Sequence, residues 1–101
     1  MDLGQLQPWL APWARWLVSI SPGLQITSIR RTYWQQLELY QASRRGEVRY
    51  PVAPPGYSRH EQGRAWDMIG PPELLARAGY WWERAGGSYG GRFGDPIHFE
   101  A

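Results

Sequence analysis

The sequence predicts a small α+β domain with about three helices and a small sheet. Three segments carry apolar residues at the three- and four-residue steps of a helix, short β-type runs lie between them and at the end of the chain, and clusters of Pro and Gly separate the segments. The chain has 101 residues, so we expect a single domain over residues 1–101 with no room for a second core. A folded monomer is the expected state.

The first segment predicts a core helix over residues 9–20. Apolar side chains at helical steps define one face, formed by Leu3, Leu6, Leu10, Trp13, Leu17 and Ile20. Pro8 and Pro12 are tolerated in a first turn but not in a helix interior, and residues 21–23 form a stop. Because Pro8, Pro12 and Arg15 interrupt the apolar run, we expect neither a secretory signal peptide nor a membrane span here.

The middle of the chain predicts a strand, a helix and a rigid loop. Residues 24–29 are short and partly alternating, as in a strand, and residues 33–44 place Trp34, Leu37 and Tyr40 at helical spacing. Gly46 is a plausible C-terminal stop for this helix. Residues 51–56 contain three prolines and a glycine, which excludes a helix, and we expect this loop to frame a site.

The last third predicts a strand, a helix, a glycine-rich loop and a final strand. A strand over residues 64–69 precedes a helix that opens at Pro71-Pro72 and closes at Gly86-Gly87. Its inward-facing residues are predicted to be Leu74, Leu75, Ala78, Trp81 and Trp82. The five glycines of residues 86–94 predict a turn or mobile lid before a strand over 97–100. With no Lys and no following helix, this loop is neither a phosphate loop nor a dinucleotide fingerprint.

Composition narrows the chemistry. The net charge of +2 comes from 11 basic and 9 acidic residues, and the basic residues are all Arg, scattered from Arg15 to Arg92. Phosphate-backbone binding needs a concentrated basic face, so no nucleic-acid partner is expected. The absence of Cys means that any metal must be held by His, Asp or Glu. The 7 Trp indicate an aromatic core or a stacking surface, and we expect Trp at helical spacing to lie in the core.

Two short segments combine the histidines of the chain with carboxylates. His60 follows the Pro-Gly loop with Asp67 seven residues later, and His98 lies between Asp95 and Glu100. His60, Asp67 and His98 would form a three-ligand site with an open fourth position, as in zinc hydrolases. The plainer alternative is two surface histidines among solvated carboxylates.

Two other hydrolase classes fit the residues less well. The His60-Glu61 pair could begin a helical zinc-protease motif, but the second histidine of that motif would stand at position 64, which is Arg64. A serine hydrolase would use Ser58 or Ser88, yet neither lies in a Gly-x-Ser-x-Gly elbow.

The two histidine segments also resemble a known family. The pattern Ser58-x-His60-x-x-Gly63-x-Ala65-x-Asp67, followed by Asp95-x-x-His98, is similar to the signature of the VanY-like zinc D-alanyl-D-alanine carboxypeptidases and L-alanyl-D-glutamate endopeptidases. That family includes vancomycin-resistance dipeptidases and bacteriophage endolysins. The resemblance covers roughly residues 23–100, and residues 90–99 look like compact phage members. It implies the α+β fold of D,D-peptidases and Hedgehog proteins, in which a small antiparallel sheet carries the zinc.

The resemblance also implies roles for the residues of the two segments. Asp95 would be the general base, whereas Glu100 is a spare carboxylate expected to support the site or lie at the surface. The zinc ligands implied are His60, Asp67 and His98.

An arginine from the turn between the first strand and the second helix would, by the same resemblance, stabilise the oxyanion. Alignment through Gln36 favours Arg31 for this role, with the adjacent Arg30 as the alternative. Gln36 and Ser58 would contact the substrate or support the ligands.

The resemblance implies a zinc-dependent hydrolase of peptidoglycan stem peptides, similar to a phage endolysin, that cuts either the D-Ala–D-Ala or the L-Ala–D-Glu bond. We expect it to be made in the bacterial host cytoplasm without a signal peptide, to act at the cell wall and not to insert into a membrane. The alternative from another class is a catalytically silent, zinc-containing module that binds the cell wall or forms part of a virion.

Overall fold

Three helices and a four-stranded antiparallel sheet make up the computed structural model, which describes residues 2–101. In chain order the elements are α1 (Ala11–Ser19), β1 (Gln25–Ser28), α2 (Tyr33–Arg44), β2 (Ala65–Ile69), α3 (Pro72–Arg84), β3 (Ser88–Tyr89) and β4 (His98–Glu100). The predicted α+β class is confirmed. No helix within residues 2–101 is long and apolar enough to cross a membrane.

The register of the sheet places chemistry-bearing residues side by side. The strand order is β1-β2-β4-β3, so β2 pairs with a neighbour on each side. Asp67 of β2 lies opposite Ser28 of β1 and opposite His98 of β4. Residues that lie directly opposite each other on paired strands share a face of the sheet, so this register places Asp67 and His98 on the same face.

The other face of the sheet forms the core against α1 and α3. Trp66 of β2 stacks on Phe99 of β4 with ring centroids 5.7 Å apart, and Trp82 of α3 packs edge-on against Trp66 at 5.0 Å. The indole Nε1 of Trp82 donates to the Glu100 carbonyl at 2.8 Å. This contact ties α3 to β4, the strand that carries His98.

The burial predicted for the first helix is partly wrong. Leu3 and Leu6 are buried, but in a short 3-10 turn that precedes α1, so they do not continue its face. Trp13 is 54% exposed, and Ile20 is also exposed. The buried face of α1 is formed by Leu10, Ala11, Ala14 and Leu17. The turn around Pro8 shifts the helical phase, so the apolar steps before it do not extend into α1.

The expectation that Trp at helical spacing lies in the core is also wrong for most positions. Trp66 and Trp82 are buried, whereas Trp34 is 72% exposed and packs edge-on against Tyr33 at 5.2 Å. The exposed members are Trp9, Trp13, Trp16, Trp34 and Trp81. Small residues occupy the inward positions next to several of them, which lets the backbone of α1 lie close to its neighbours.

The glycine-rich segment is more ordered than a turn or mobile lid. Ser88 and Tyr89 pair with β4 as a short edge strand, and Gly90–Phe93 forms a 3-10 turn. The Tyr89 ring packs directly on α3 at Gly79, where an added Cβ would lie 2.2 Å from the ring. The segment is therefore part of the sheet that carries His98.

Candidate metal centre and substrate cavity

A cavity of about 300 Å³ opens on the face of the sheet that carries Asp67 and His98. Its lining includes most of the residues singled out in the sequence, namely Arg31, Gln36, Ser58, His60, Asp67, Asp95 and His98. Arg30 is not among them, since it lines a separate groove beside β1 and α2. The loop predicted to frame a site supplies Pro51, Val52 and Ala53 to one wall.

Three of these side chains converge on one point. His60, Asp67 and His98 each offer one ligand atom, and these atoms all lie within 4.8 Å of one another. Asp67 Oδ1 is 3.2 Å from His60 Nε2 and 3.4 Å from His98 Nδ1. Residues from a turn and from two paired strands thus form a single group of potential metal ligands.

The His60 ring is oriented by the backbone. Its Nδ1 donates to the Ile29 carbonyl at 2.6 Å, which leaves Nε2 facing Asp67. The preceding turn is held by the Ser58 hydroxyl, which accepts from the His60 backbone N–H, and by the Glu61 carboxylate, which accepts from Gly56 N–H. The imidazole is 2% exposed, so its position is set by the path of the chain.

The His98 ring is oriented by side chains. Its Nε2 lies 2.8 Å from Glu100 Oε1, and Glu100 Oε2 in turn accepts from Arg59 Nε at 3.3 Å. Burial alone would lower the pKa of His98, but the Asp67 and Glu100 carboxylates outweigh burial and raise that pKa to about 9. The surrounding carboxylates therefore favour a positive charge at this ring.

Asp67 is held ionised by its neighbours. Burial acts to raise the pKa of its carboxyl group, but the interactions with His60, His98 and Arg31 outweigh burial and hold that pKa well below the usual range. Arg31 Nη2 donates to Asp67 Oδ2 at 3.0 Å. Oδ1 is left facing the two histidines, so the carboxylate is available to a cation there.

Arg31 is held in the cavity from several sides. It immediately precedes α2, whose first turn is closed by a capping box between Thr32 and Gln35. Arg31 Nη1 donates to Gln36 Oε1 at 3.3 Å, and the 1%-exposed Gln36 donates from Nε2 to the Ala53 carbonyl at 2.8 Å. The guanidinium thus spans the space between Gln36 and Asp67.

Asp95 sits on the loop that leads into β4. Its backbone carbonyl accepts from His98 N–H at 3.1 Å, and its N–H donates to the Gly90 carbonyl at 3.0 Å. An added Cβ at Gly90 would lie 2.4 Å from that Asp95 carbonyl oxygen, so the close approach requires glycine. Burial raises the pKa of the half-buried Asp95 carboxyl group, and the charge of nearby Asp67 adds to this, while His98 opposes it.

Sequence reasoning did not find two members of the site. Arg59 and Tyr50 both line the cavity, and neither falls in a metal-ligand spacing. The Arg59 partner, Glu100, lies 41 residues away in sequence. The pairing of β2 with β4 places Glu100 opposite Ala65, so the contact with Arg59 also depends on the turn that precedes β2, and no local sequence signal indicates it.

The donor set fits a divalent cation such as zinc. His60 Nε2 is a buried nitrogen that makes no hydrogen bond among the described residues, although Asp67 Oδ1 is 3.2 Å away. A buried polar atom without a partner carries a free-energy cost, which a bound cation would remove. Two imidazole nitrogens and one carboxylate oxygen match the three protein ligands of a catalytic zinc site, with a fourth position open.

No family model and no curated protein sequence matches this chain. Among solved structures, it is similar to the L-Ala D-Glu endopeptidase ChiX of Serratia marcescens, with a TM-score of 0.71, 20% identity and coverage of 98% of this chain and 82% of that one. It is similar to the vancomycin resistance D,D-pentapeptidase VanY, solved in complex with Zn(II), with a TM-score of 0.69, 19% identity and coverage of 94% and 71%.

A third similar structure is the LD-carboxypeptidase LdcB, described in terms of peptidoglycan recognition, with a TM-score of 0.67, 25% identity and coverage of 94% of this chain and 64% of that one. These likenesses agree with the fold implied by the two histidine segments. The chain therefore shares the fold of an L-Ala D-Glu endopeptidase, a D,D-pentapeptidase and an LD-carboxypeptidase, as its motif resemblance implied.

Proposed function

We propose that this chain is a zinc-dependent peptidase that hydrolyses a peptide bond in peptidoglycan stem peptides, with residues 1–101 as its single peptidase domain. The observation that carries the proposal is the convergence of His60, Asp67 and His98 in the cavity that Arg31 and Asp95 also line. The proteins of the same fold described above support it: they are an L-Ala D-Glu endopeptidase, a D,D-pentapeptidase solved with Zn(II) and an LD-carboxypeptidase described in terms of peptidoglycan recognition.

The proposed zinc ligands are His60 Nε2, an Asp67 carboxylate oxygen and His98 Nδ1. A zinc ion held by these atoms would act as a Lewis acid and would make water a better nucleophile near neutral pH. Asp95 is the proposed general base: its carboxylate removes a proton from the attacking water and delivers it to the leaving amine. Partial burial suits it to this task because a raised pKa strengthens a carboxylate as a base.

Arg31 is the proposed electrostatic partner of the developing oxyanion. Its bonds to Gln36 and Asp67 use two of its five N–H donors and leave others for the substrate. Gln36 and Ser58 support this arrangement, since Gln36 bonds Arg31 and Ser58 caps the His60 turn. Arg30 lines the neighbouring groove beside β1 and α2, so the oxyanion role is assigned to Arg31 rather than to Arg30.

The direct test is mass spectrometry of purified stem peptides after incubation with the protein as purified, after chelation, and after zinc is restored. Loss of a single terminal D-Ala would identify a carboxypeptidase, and release of the L-Ala end would identify an endopeptidase. We expect one of these products, absent after chelation and recovered with zinc. Stoichiometric zinc without any product would favour a silent wall-binding or virion module instead.

We further propose that this peptidase acts in phage lysis. This role rests on the likeness of residues 90–99 to compact phage endolysins and on no other observation. Purified protein added to cells with a permeabilised outer membrane should clear a suspension, and the Asp95→Asn variant should not. An enzyme that cuts isolated stem peptides but leaves intact sacculi unchanged would contradict the lysis role while leaving the peptidase assignment in place.

A further inference from the structure

We propose that Glu100, held by Arg59, is the positioning residue that makes His98 a metal ligand through Nδ1. This inference rests on the proposed metal centre and concerns how the chain aims one ligand at it. It starts from an asymmetry: His60 faces Asp67 with Nε2, whereas His98 faces Asp67 with Nδ1.

The first step is the placement of Glu100 on β4. His98 and Glu100 are two residues apart on one strand, so their side chains emerge on the same face of the sheet. The Glu100 carboxylate reaches His98 Nε2, with 2.8 Å between Oε1 and the nitrogen. A carboxylate oxygen only accepts, so this bond fixes the proton on Nε2. In the neutral ring that binds a metal, Nδ1, on the opposite side of the ring, is then the nitrogen with the free lone pair.

The second step is the restraint on Glu100 itself. Its second oxygen, Oε2, accepts from Arg59 Nε at 3.3 Å, and Arg59 Nη1 donates to Gln62 Oε1 at 3.2 Å. Arg59 directly precedes His60 in the chain. The pair therefore links the turn that carries one histidine to the strand that carries the other, across 41 residues of sequence.

These contacts support metal binding by holding the second ring nitrogen of each histidine. Metal-binding histidines commonly donate their other ring N–H to a carboxylate or carbonyl, and loss of such a partner typically weakens metal binding about 10–100-fold. His60 receives this support from the Ile29 carbonyl, which no side-chain substitution removes. For His98 the same support comes from Glu100, so a single substitution can remove it.

The test measures zinc affinity by competition with a chromophoric chelator for wild type, Glu100→Ala, Glu100→Gln and Arg59→Gln. Glu100→Ala should bind zinc about 10–100-fold more weakly than wild type. Glu100→Gln keeps an acceptor oxygen and should recover much of that loss, and Arg59→Gln should weaken binding by less than Glu100→Ala. The matched control is Glu83→Gln. It removes the charge from a surface ion pair in which Glu83 Oε1 lies 2.9 Å from Arg92 Nη2, outside the metal-ligand group, and it should leave zinc affinity unchanged.

A second readout separates positioning from general destabilisation. Imidazole ¹⁵N NMR of the zinc-loaded wild-type protein should show His98 metallated at Nδ1 and protonated at Nε2, with the Nε2 proton protected from exchange. The Nε2 proton should be protected less in Glu100→Ala than in Glu100→Gln, as expected from the weaker zinc binding of Glu100→Ala. The His60 signals should not shift in either variant.

Zinc affinity in Glu100→Ala within twofold of wild type, or a His98 metallated at Nε2, would overturn the positioning role and leave the metal centre standing. A wild-type protein that binds no zinc would instead overturn the proposed function and this inference together. Should Glu100→Ala not fold, the ¹⁵N spectrum of the zinc-loaded wild-type protein decides the question: metallation of His98 at Nδ1 with a protected Nε2 proton supports the positioning role, and metallation at Nε2 overturns it.

Discussion

The two histidines of the site are held in contrasting ways. His60 is 2% exposed and is oriented by a backbone carbonyl, within a turn closed by its own side chains. His98 is 17% exposed and is oriented by Glu100, itself 28% exposed and paired with Arg59. The orientation of His60 is thus set by the backbone, and the orientation of His98 is set by the side chains of Glu100 and Arg59.

This contrast means that mutations at the two histidines should differ in how far loss of fold stability accompanies loss of metal binding. On the His60 side, a change in the ring also disturbs a buried hydrogen bond and should affect the stability of the fold. On the His98 side, the same change should affect mainly metal binding once the pH is high enough to leave the ring uncharged. The structure therefore predicts that equivalent substitutions differ in their structural cost while agreeing in their functional cost.

The largest effect is expected from His60→Ala and His98→Ala, each of which removes one of three proposed ligands. Both variants should lose stoichiometric zinc and all measurable turnover, as checked by elemental analysis and peptide hydrolysis. In metal-free protein above about pH 9, where His98 is uncharged and its ion pairs with Asp67 and Glu100 no longer stabilise the fold, His60→Ala should be the less stable of the two, because it leaves the Ile29 carbonyl without its partner at a cost of about 1–3 kcal/mol. Equal melting temperatures for the two metal-free variants at that pH would break the comparison.

A smaller loss is expected from Arg31→Ala, which leaves the ligands in place. Loss of one oxyanion donor typically costs about 2.7–4 kcal/mol, or roughly 10²–10³-fold in kcat. The matched control is Arg30→Ala, whose side chain lies outside the cavity that holds the cluster and should cost no more than a few-fold. Steady-state kinetics on a stem peptide measures both variants. The reverse order would move the oxyanion role to Arg30.

Removal of zinc should lower the melting temperature. A ligand present at 100 times its Kd stabilises the folded state by about 2.7 kcal/mol, which corresponds to a shift of roughly 10–20 °C for a domain of this size. Hydrogen exchange should quicken more in β4, which carries His98, than in the turn of residues 58–63, because the Ile29 carbonyl holds the His60 ring in place without the metal. An unchanged melting temperature after verified chelation would contradict the site, and a uniform change in hydrogen exchange would contradict the contrast between its halves.

The smallest effect is expected from Trp13→Ser on α1, remote from both histidines. Trp13 is 54% exposed and touches Trp16 edge-on at 6.5 Å, so its loss should lower the free energy of unfolding by less than the loss of a fully buried indole, which costs about 3–5 kcal/mol. Turnover should be unchanged. Chemical denaturation of the variant beside Trp82→Leu, which removes a buried indole and its bond to Glu100, measures the difference.

The sequence was sufficient for much of the fold. The three helices and the strands β1, β2 and β4 fall within two residues of the predicted positions, and α2 begins and ends at the predicted residues, Tyr33 and Arg44. The short strand β3 was not predicted. Helical periodicity and the Pro and Gly stops are local signals, so they survive folding. The grouping of His60, Asp67 and His98 also follows from local spacing, once β2 and β4 are paired.

What the sequence could not supply was the tertiary surroundings of each residue. Trp34 and Trp81 have large, mainly apolar side chains, yet both are exposed because other positions of their helices face the core. Gln36 is polar, yet it is buried because Arg31 and the Ala53 carbonyl satisfy its amide. Such partners are distant in sequence, and a single chain without its fold does not indicate which of them will meet.

The measurement that tests the account most directly is the zinc content and turnover of Asp95→Asn. The substitution keeps the size of the side chain and removes its basicity, so we expect about one zinc per chain together with a loss of turnover of roughly two to four orders of magnitude. Release of the metal would show that Asp95 is a ligand. Retention of both metal and turnover would place the base elsewhere and contradict the division of roles between Asp95 and His98.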